Sequence, residues 1–310
     1  MESWRNNRLV FFVVGLPPTF WLLFFFLIPL AIIAAMSFGE KAGIVEVDVT
    51  GTLESYWRIF ECVEITGREG CTHVYLQIFW KSLWEAGLTT VICLLVGFPL
   101  AFMICFASPK WKPWLLLLIV LPFFTNLLIR TYALIVMLRG NGYINKTLEL
   151  FWDAGDWILF GSLGDYPRLE MMNTDFAVVF GMVYVFLPFT VLPLYAALER
   201  LDHSMIEASL DLGAGQLRSF WNVVVPLAGP GIVSAVVITF IPALGSFLQP
   251  DLLGGTDSTL IANIIERQFK SANDTPFGSA LSMTLLYITF FAIALQSLVS
   301  RRQQRRGLEP

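Results

Sequence analysis

The sequence predicts an all-α polytopic membrane protein with six transmembrane helices and both termini cytoplasmic. Three observations carry this. Of 310 residues, 56% are hydrophobic and only 14% are charged, against about 25% charged in an average soluble domain; with a mean hydropathy of +0.68, most of the chain cannot face water. Six apolar stretches reach the roughly 20 residues needed to cross the hydrocarbon core. Lys and Arg gather in alternate connecting segments, which sets the orientation. This length leaves no room for a large soluble domain.

The spans fall at about 9–38, 82–107, 114–138, 176–198, 223–247 and 276–299. The first follows Arg5 and Arg8, but its apolar run is far longer than the roughly 7–15 residues of a signal peptide's apolar core. It is read as a retained helix, kinked at Pro17-Pro18 and Pro29. The N-terminus, the loop around Lys110 and Lys112, the segment 199–222 and the tail hold ten Lys or Arg against six acids. The opposite loops, about 39–79, 140–172 and 248–274, hold seven against sixteen. Basic residues lie on the cytoplasmic side, so the segment 199–222 is expected there too.

That segment is too polar to span. Glu207 and Asp211 are four apart and share a helix face. Leu210, Leu217 and Phe220 fall at helical spacing as an apolar face. Gly213 is free to take a positive φ and turn the chain at a helix end. Pro226, with Pro230, suits the start of a returning helix. The reading is a short amphipathic helix, a turn, and re-entry into the membrane.

The run Glu207-Ala208-Ser209, then Gly213, then Pro226 resembles the EAA coupling loop of bacterial ATP-binding-cassette importers, with Ser209 where the family has Ala. Leu121-Pro-Phe-Phe-Thr-Asn-Leu-Leu-Ile-Arg-Thr-Tyr132, Tyr184-Val-Phe-Leu-Pro188 and Pro250-Asp-Leu-Leu-Gly-Gly255 resemble the permease subunits of spermidine and putrescine importers. Relatives in that branch also carry other organic cations, opines and, more distantly, ferric iron. The resemblance covers about 80–300 and implies a type I importer permease fold. It divides the chain into a first helix with its outer loop (1–79), the transmembrane domain with its coupling loop (80–300), and a basic tail (301–310). It also implies partners: a second related permease that completes the path, two cytoplasmic ATPase subunits that bind ATP and Mg, and an extracytoplasmic binding protein. The expected place is the inner membrane of a bacterium. Helix breaks near Pro122 and Pro188 would shape the cavity wall. No cofactor, metal or nucleic acid is expected on this chain. It has no GxxxxGK[ST] run and no HExxH, and only two His, so ATP hydrolysis belongs to a partner. An ATP-independent facilitator is the reading the coupling loop argues against.

Some residues keep two readings. Arg130 lies inside the third span, where it either pairs with carbonyls or gates the path. Asp251 either receives an ammonium group at the outer mouth or caps a turn. Phe123, Phe124, Tyr132 and Tyr184 offer cation–π faces to an amine, or simply pack in a chain with 27 Phe. Glu85 and Asp175 read as interface-level residues at the outer ends of spans two and four. Cys93 and Cys105 read as packing residues. Cys62 and Cys71, in the first outer loop, are candidates for a disulfide in an oxidising space.

Overall fold

The computed structural model describes residues 8–43, 47–64, 71–158 and 166–306. Four helices in it are long and apolar enough to cross a membrane: Val13–Met36, Val74–Cys105, Asp175–Leu198 and Thr275–Ala294. Two bent pairs raise this to six spans if each pair is one span: Lys112–Phe124 with Leu127–Ala154, bent by 95°, and Gln216–Leu227 with Gly229–Leu244, bent by 66°. Span three breaks near Pro122, as expected, and span five, expected as a single helix, is broken as well. Span two starts at Val74, eight residues before its expected start.

The chain divides into two compact units, Met1–Leu76 with Ile264–Ile288, and Gln77–Asn263 with Thr289–Pro310. In the first, α1 (Arg8–Leu22), a π-helical turn (Leu23–Leu27) and α2 (Ile28–Met36) run on as one span. Proline lacks an N–H and its ring crowds the carbonyl four residues back. The wide π turn ending two residues before Pro29 absorbs that conflict without a break. None of this span's apolar window is buried within the chain.

The first outer loop has its own structure. Strands β1 (Glu40–Lys41) and β2 (Val47–Asp48) pair antiparallel, α3 (Glu54–Phe60) follows, and β3 (Val63–Glu64) pairs with β4 (Cys71–Thr72). Arg58 on α3 ties it down. Its Nη1 lies 2.9 Å from Asp274 Oδ2, and its guanidinium sits 4.2 Å over the Phe277 ring. Phe277 in turn meets Tyr75 edge-on at 5.0 Å. Cys62 is disulfide-bonded, whereas Cys93 and Cys105 are free and buried. The side chain of Cys71 lies outside the described residues.

The second unit holds α4 (Val74–Cys105, from Gln77), α5 (Lys112–Val120), α6 (Leu127–Leu138), α7 (Tyr143–Ile158), α8 (Asp175–Leu198), α9 (His203–Asp211), α10 (Gln216–Ser219), α11 (Val225–Leu227), α12 (Gly229–Leu244) and α13 (Leu248–Leu253). Lipid is as apolar as leucine, so such helices associate by close packing and not by escape from water. Small residues make this possible. A Cβ at Gly97 of α4 would meet Val191 Cγ2 of α8 at 3.3 Å. On α12, Gly231 lies against Ala197 of α8. Thr190 and Thr239 share a buried 2.7 Å hydrogen bond across the same pair. Ala101, Ile104, Val191, Leu194, Leu198, Ala228 and Ala235 fill the core around these crossings.

Candidate functional site

The 199–222 segment begins with an ion pair. Lys112 Nζ, at the start of α5, lies 2.9 Å from both Glu199 oxygens just past the end of α8. That hydrogen bond holds the Glu199 carboxyl below its ordinary pKa. Asp202 then caps α9, its side chain accepting from Ser204 N at 3.0 Å. The helix closes in a Schellman motif: Ala214 N donates to Ser209 O at 3.1 Å and Gly213 N to Leu210 O at 2.9 Å. Gly213 sits at the left-handed position with φ +83°. A Cβ there would meet nothing within 4 Å, so its backbone angle and not crowding within this chain calls for glycine.

Ser209 does more than replace an alanine. Its Oγ shares a 2.7 Å hydrogen bond with Ser219 Oγ and donates to Ile206 O at 2.8 Å, fastening α9 to α10. Glu207, Ala208 and Asp211 are exposed. Phe220 corrects the expected apolar face, because it packs inward, edge-on to Phe98 and Phe102 of α4 at 5.5 and 5.6 Å. The outward apolar residues are Leu210, Leu217 and three that spacing missed, Met205, Leu212 and Trp221; Leu212 is 89% exposed. Pro226 is also re-placed. It follows a π turn (Phe220–Val224) within the connecting helix, and the returning span α12 opens with Pro230. The loop therefore presents a capped helix and a following segment that together expose five large apolar side chains, and the helix also exposes the acids Glu207 and Asp211.

The break in span three explains Arg130. After α5 the chain makes a 3-10 turn (Leu121–Phe124), and Asn126 caps α6 by accepting from Leu128 N at 2.8 Å. Arg130 is 6% exposed. Its Nη2 donates to Thr125 O at 2.9 Å and its Nε to Thr125 Oγ1 at 3.3 Å. It satisfies the carbonyl freed by the break, which is the pairing reading. The expected break at Pro188 does not form, because Pro188 is buried within continuous α8.

Asp251 is exposed in the first turn of α13 and does not cap a turn. Several contacts hold α13. Asn263 Nδ2 donates to Phe247 O at 2.8 Å, and Asn173 N donates to Leu253 O at 3.0 Å. Gly254 has no room for a side chain, since its Cβ would fall 2.5 Å from Pro250 O. Phe124, Tyr132 and Tyr184 are exposed. Among the described residues, no hydrogen bond, ring pair or ion pair links Asp251, Phe124, Arg130, Tyr132 and Tyr184 to one another. They form no ready-made ligand set within this chain.

Comparison with known proteins places this architecture. The chain is 40% identical to the spermidine/putrescine transport system permease protein PotB of Haemophilus influenzae, over 86% of this chain and 85% of that one. It is 35% identical to PotB of Escherichia coli, over 86% and 90%, and 34% identical to PotB of Salmonella typhimurium, over 96% and 94%. A chain of a bacterial ABC transporter involved in import of the acidic polysaccharide alginate has the same fold, with a TM-score of 0.72 at 17% identity, covering 97% of this chain and 98% of that one. Residues 7–305 match the family described as binding-protein-dependent transport system inner membrane component, and the chain belongs to that family, as a multi-pass inner-membrane permease of an ATP-binding-cassette importer.

Proposed function

We propose that this chain forms half of the translocation path for a polyamine, spermidine or putrescine. A second, related permease forms the other half. Two copies of an ATPase subunit bind ATP and Mg and dock on the 199–222 loop, and an extracytoplasmic binding protein delivers the solute. The observation that carries the solute class is the 34–40% identity to spermidine/putrescine permeases across most of the chain. The coupling role rests on the capped α9 with its exposed Glu207 and Asp211 and on the exposed Leu212 and Leu217 that follow it. The test is uptake of labelled spermidine and putrescine by the reconstituted complex with ATP and binding protein. Saturable, ATP-dependent uptake is expected; preference for an opine or ferric iron would replace the cargo and keep the machine. If Asp251 stands at the mouth, Asp251→Asn raises the half-saturation up to about fivefold, the reach of one exposed charge, and leaves solute-stimulated ATP hydrolysis coupled.

The orientation places both termini and the 199–222 loop in the cytoplasm and residues near 62 and 71 outside. Impermeant thiol reagents test this together with the Cys62–Cys71 bond. Gly215→Cys is expected to react only from the cytoplasmic face, and Cys62 and Cys71 only after reduction. Labelling of Gly215→Cys from outside would overturn the orientation, and free Cys62 and Cys71 thiols would overturn the bond. A bond closing so short a loop contributes about 2–3 kcal/mol, local to the loop, so uptake is expected to survive its reduction.

A further inference from the structure

A cleft of about 930 Å³ opens between α4 and α8. Its lining includes Trp80, Trp84 and Phe180, and the charged groups lining it are Lys81, Glu85 and Asp175. One cation thus stands against two carboxylates. Lys81 is already committed. Its Nζ lies 2.8 Å from Asp175 Oδ1 and donates to Asp257 O at 2.6 Å. Asp175 also accepts from Ser258 Oγ at 2.6 Å. Glu85 gets what is left, with Lys81 Nζ 3.7 Å from its Oε1. The Glu85 residue is 3% exposed, and neither carboxylate oxygen has a hydrogen bond. One turn along the same face, the buried hydroxyl of Thr89 also lacks a partner. Glu85 is a buried carboxylate short of donors, and such a group is costly unless something pairs with it.

The chemistry selects the partner. An anion is excluded by the excess negative charge and by the engagement of Lys81. A hard divalent ion needs about six oxygen ligands, and the cleft offers indoles in their place. A primary ammonium supplies three N–H donors, suits the excess of carboxylates in the lining, and gains from aromatic side chains beside it. We infer that the α4–α8 cleft binds the ammonium group of an organic amine, with Glu85 as counter-ion and Trp80 and Trp84 as its walls. The choice of spermidine as probe rests on the proposed function; the site itself rests on the cleft.

The test uses the complete complex in nanodiscs and Leu88→Cys, a cleft-lining position that is neither counter-ion nor indole. Spermidine is expected to slow alkylation of this thiol about fivefold or more, the size of a desolvated cation–π and charge contact. The uncharged 1,8-octanediol, of similar reach, is expected to leave it unchanged. Adding Glu85→Gln abolishes the protection, Glu85→Asp keeps part of it, and Trp84→Leu, which retains bulk and loses the π face, weakens it severalfold. Should Glu85→Gln fail to assemble, the Glu85→Asp and Trp84→Leu pair carries the same comparison. Protection absent, equal with the diol, or unchanged by these substitutions overturns the site. Uptake of labelled spermidine by the same complex separates the two ideas. Uptake without protection sinks the cleft site and leaves polyamine import standing, whereas protection without uptake does the reverse.

Discussion

Gly213→Asp is expected to abolish ATP-driven uptake while the chain stays inserted and assembled. The reason is where the new side chain would go. Gly213 closes α9 at φ +83°, and left-handed backbone costs a non-glycine residue roughly 1–2 kcal/mol, with Asp and Asn the most tolerant. A Cβ at this point meets open space within the chain, so strain alone would leave α9 largely formed. The added carboxylate instead projects beside the exposed Leu212 and joins the exposed Glu207 and Asp211, on the surface that the proposed ATPase must cover. Three substitutions separate the effects. Gly213→Ala carries strain without charge, Gly213→Asn tolerates the turn without charge, and Gly213→Asp adds charge to a tolerated turn. If the surface is the coupling site, Asp is the most damaging of the three. Glu207→Ala is expected to weaken coupling by about 1 kcal/mol or less, the worth of one exposed charge. Solute uptake and solute-stimulated ATP hydrolysis on one reconstituted complex read all four. Coupled uptake at the wild-type level in Gly213→Asp would remove this loop from the coupling role.

How much of this was legible in the sequence depended on whether the cause was local. The fourth span, α8, was placed to within a residue because Thr174 caps it and its apolar run is unbroken. The turn at Gly213 was legible for the same reason, since its geometry is set by a few adjacent residues. The break in span three was legible as well, since its signals are local too. Pro122 followed by Asn126 is a helix stop and a cap in succession, within an apolar run that length alone accepts as one span. The start of α12 was misplaced because a π turn lets the helix before it run through Pro226, and hydropathy does not register a change of helix type.

Other features had no local signal. Phe220 shares its helical spacing with Leu217, and only the arrival of Phe98 and Phe102 from α4 turns it inward. Arg58 and Asp274 are 216 residues apart; nothing near either one announces the pair that anchors the first outer loop. The burial of Glu85 depends on α8 lying alongside, which no residue near it in the chain announces. The polar residues that sequence reading set aside as peripheral are therefore the ones the fold brings into contact.

The crossing of α8 and α12 gives the largest expected effect on assembly. A Cβ at Gly231 would run into Ala197 Cβ, with Pro193 O at 3.2 Å and Ala197 Cα at 3.7 Å behind it. These atoms belong to the body of α8, so no flexible side chain can swing away. Gly231→Leu must drive the two helices apart, breaking the Thr190–Thr239 hydrogen bond and opening the core around Ala235 and Leu194. Overpacking of this kind costs about 1–3 kcal/mol and sometimes more, and in lipid no gain in apolar burial offsets it. The expected result is an inserted chain with little assembled complex on gel filtration, and uptake lower by about an order of magnitude or more. Gly231→Ala is the sharper probe. Helix propensity favours it by about 0.8–1.0 kcal/mol, so any loss of thermal stability must come from the contact. The obstruction lies between two β-carbons, so Ala197→Gly in the same chain is expected to restore assembly, a coupling that independent sites would not show. A fully assembled Gly231→Leu complex, or a Gly231→Ala defect that Ala197→Gly leaves untouched, would mean that the two helices do not meet at this point.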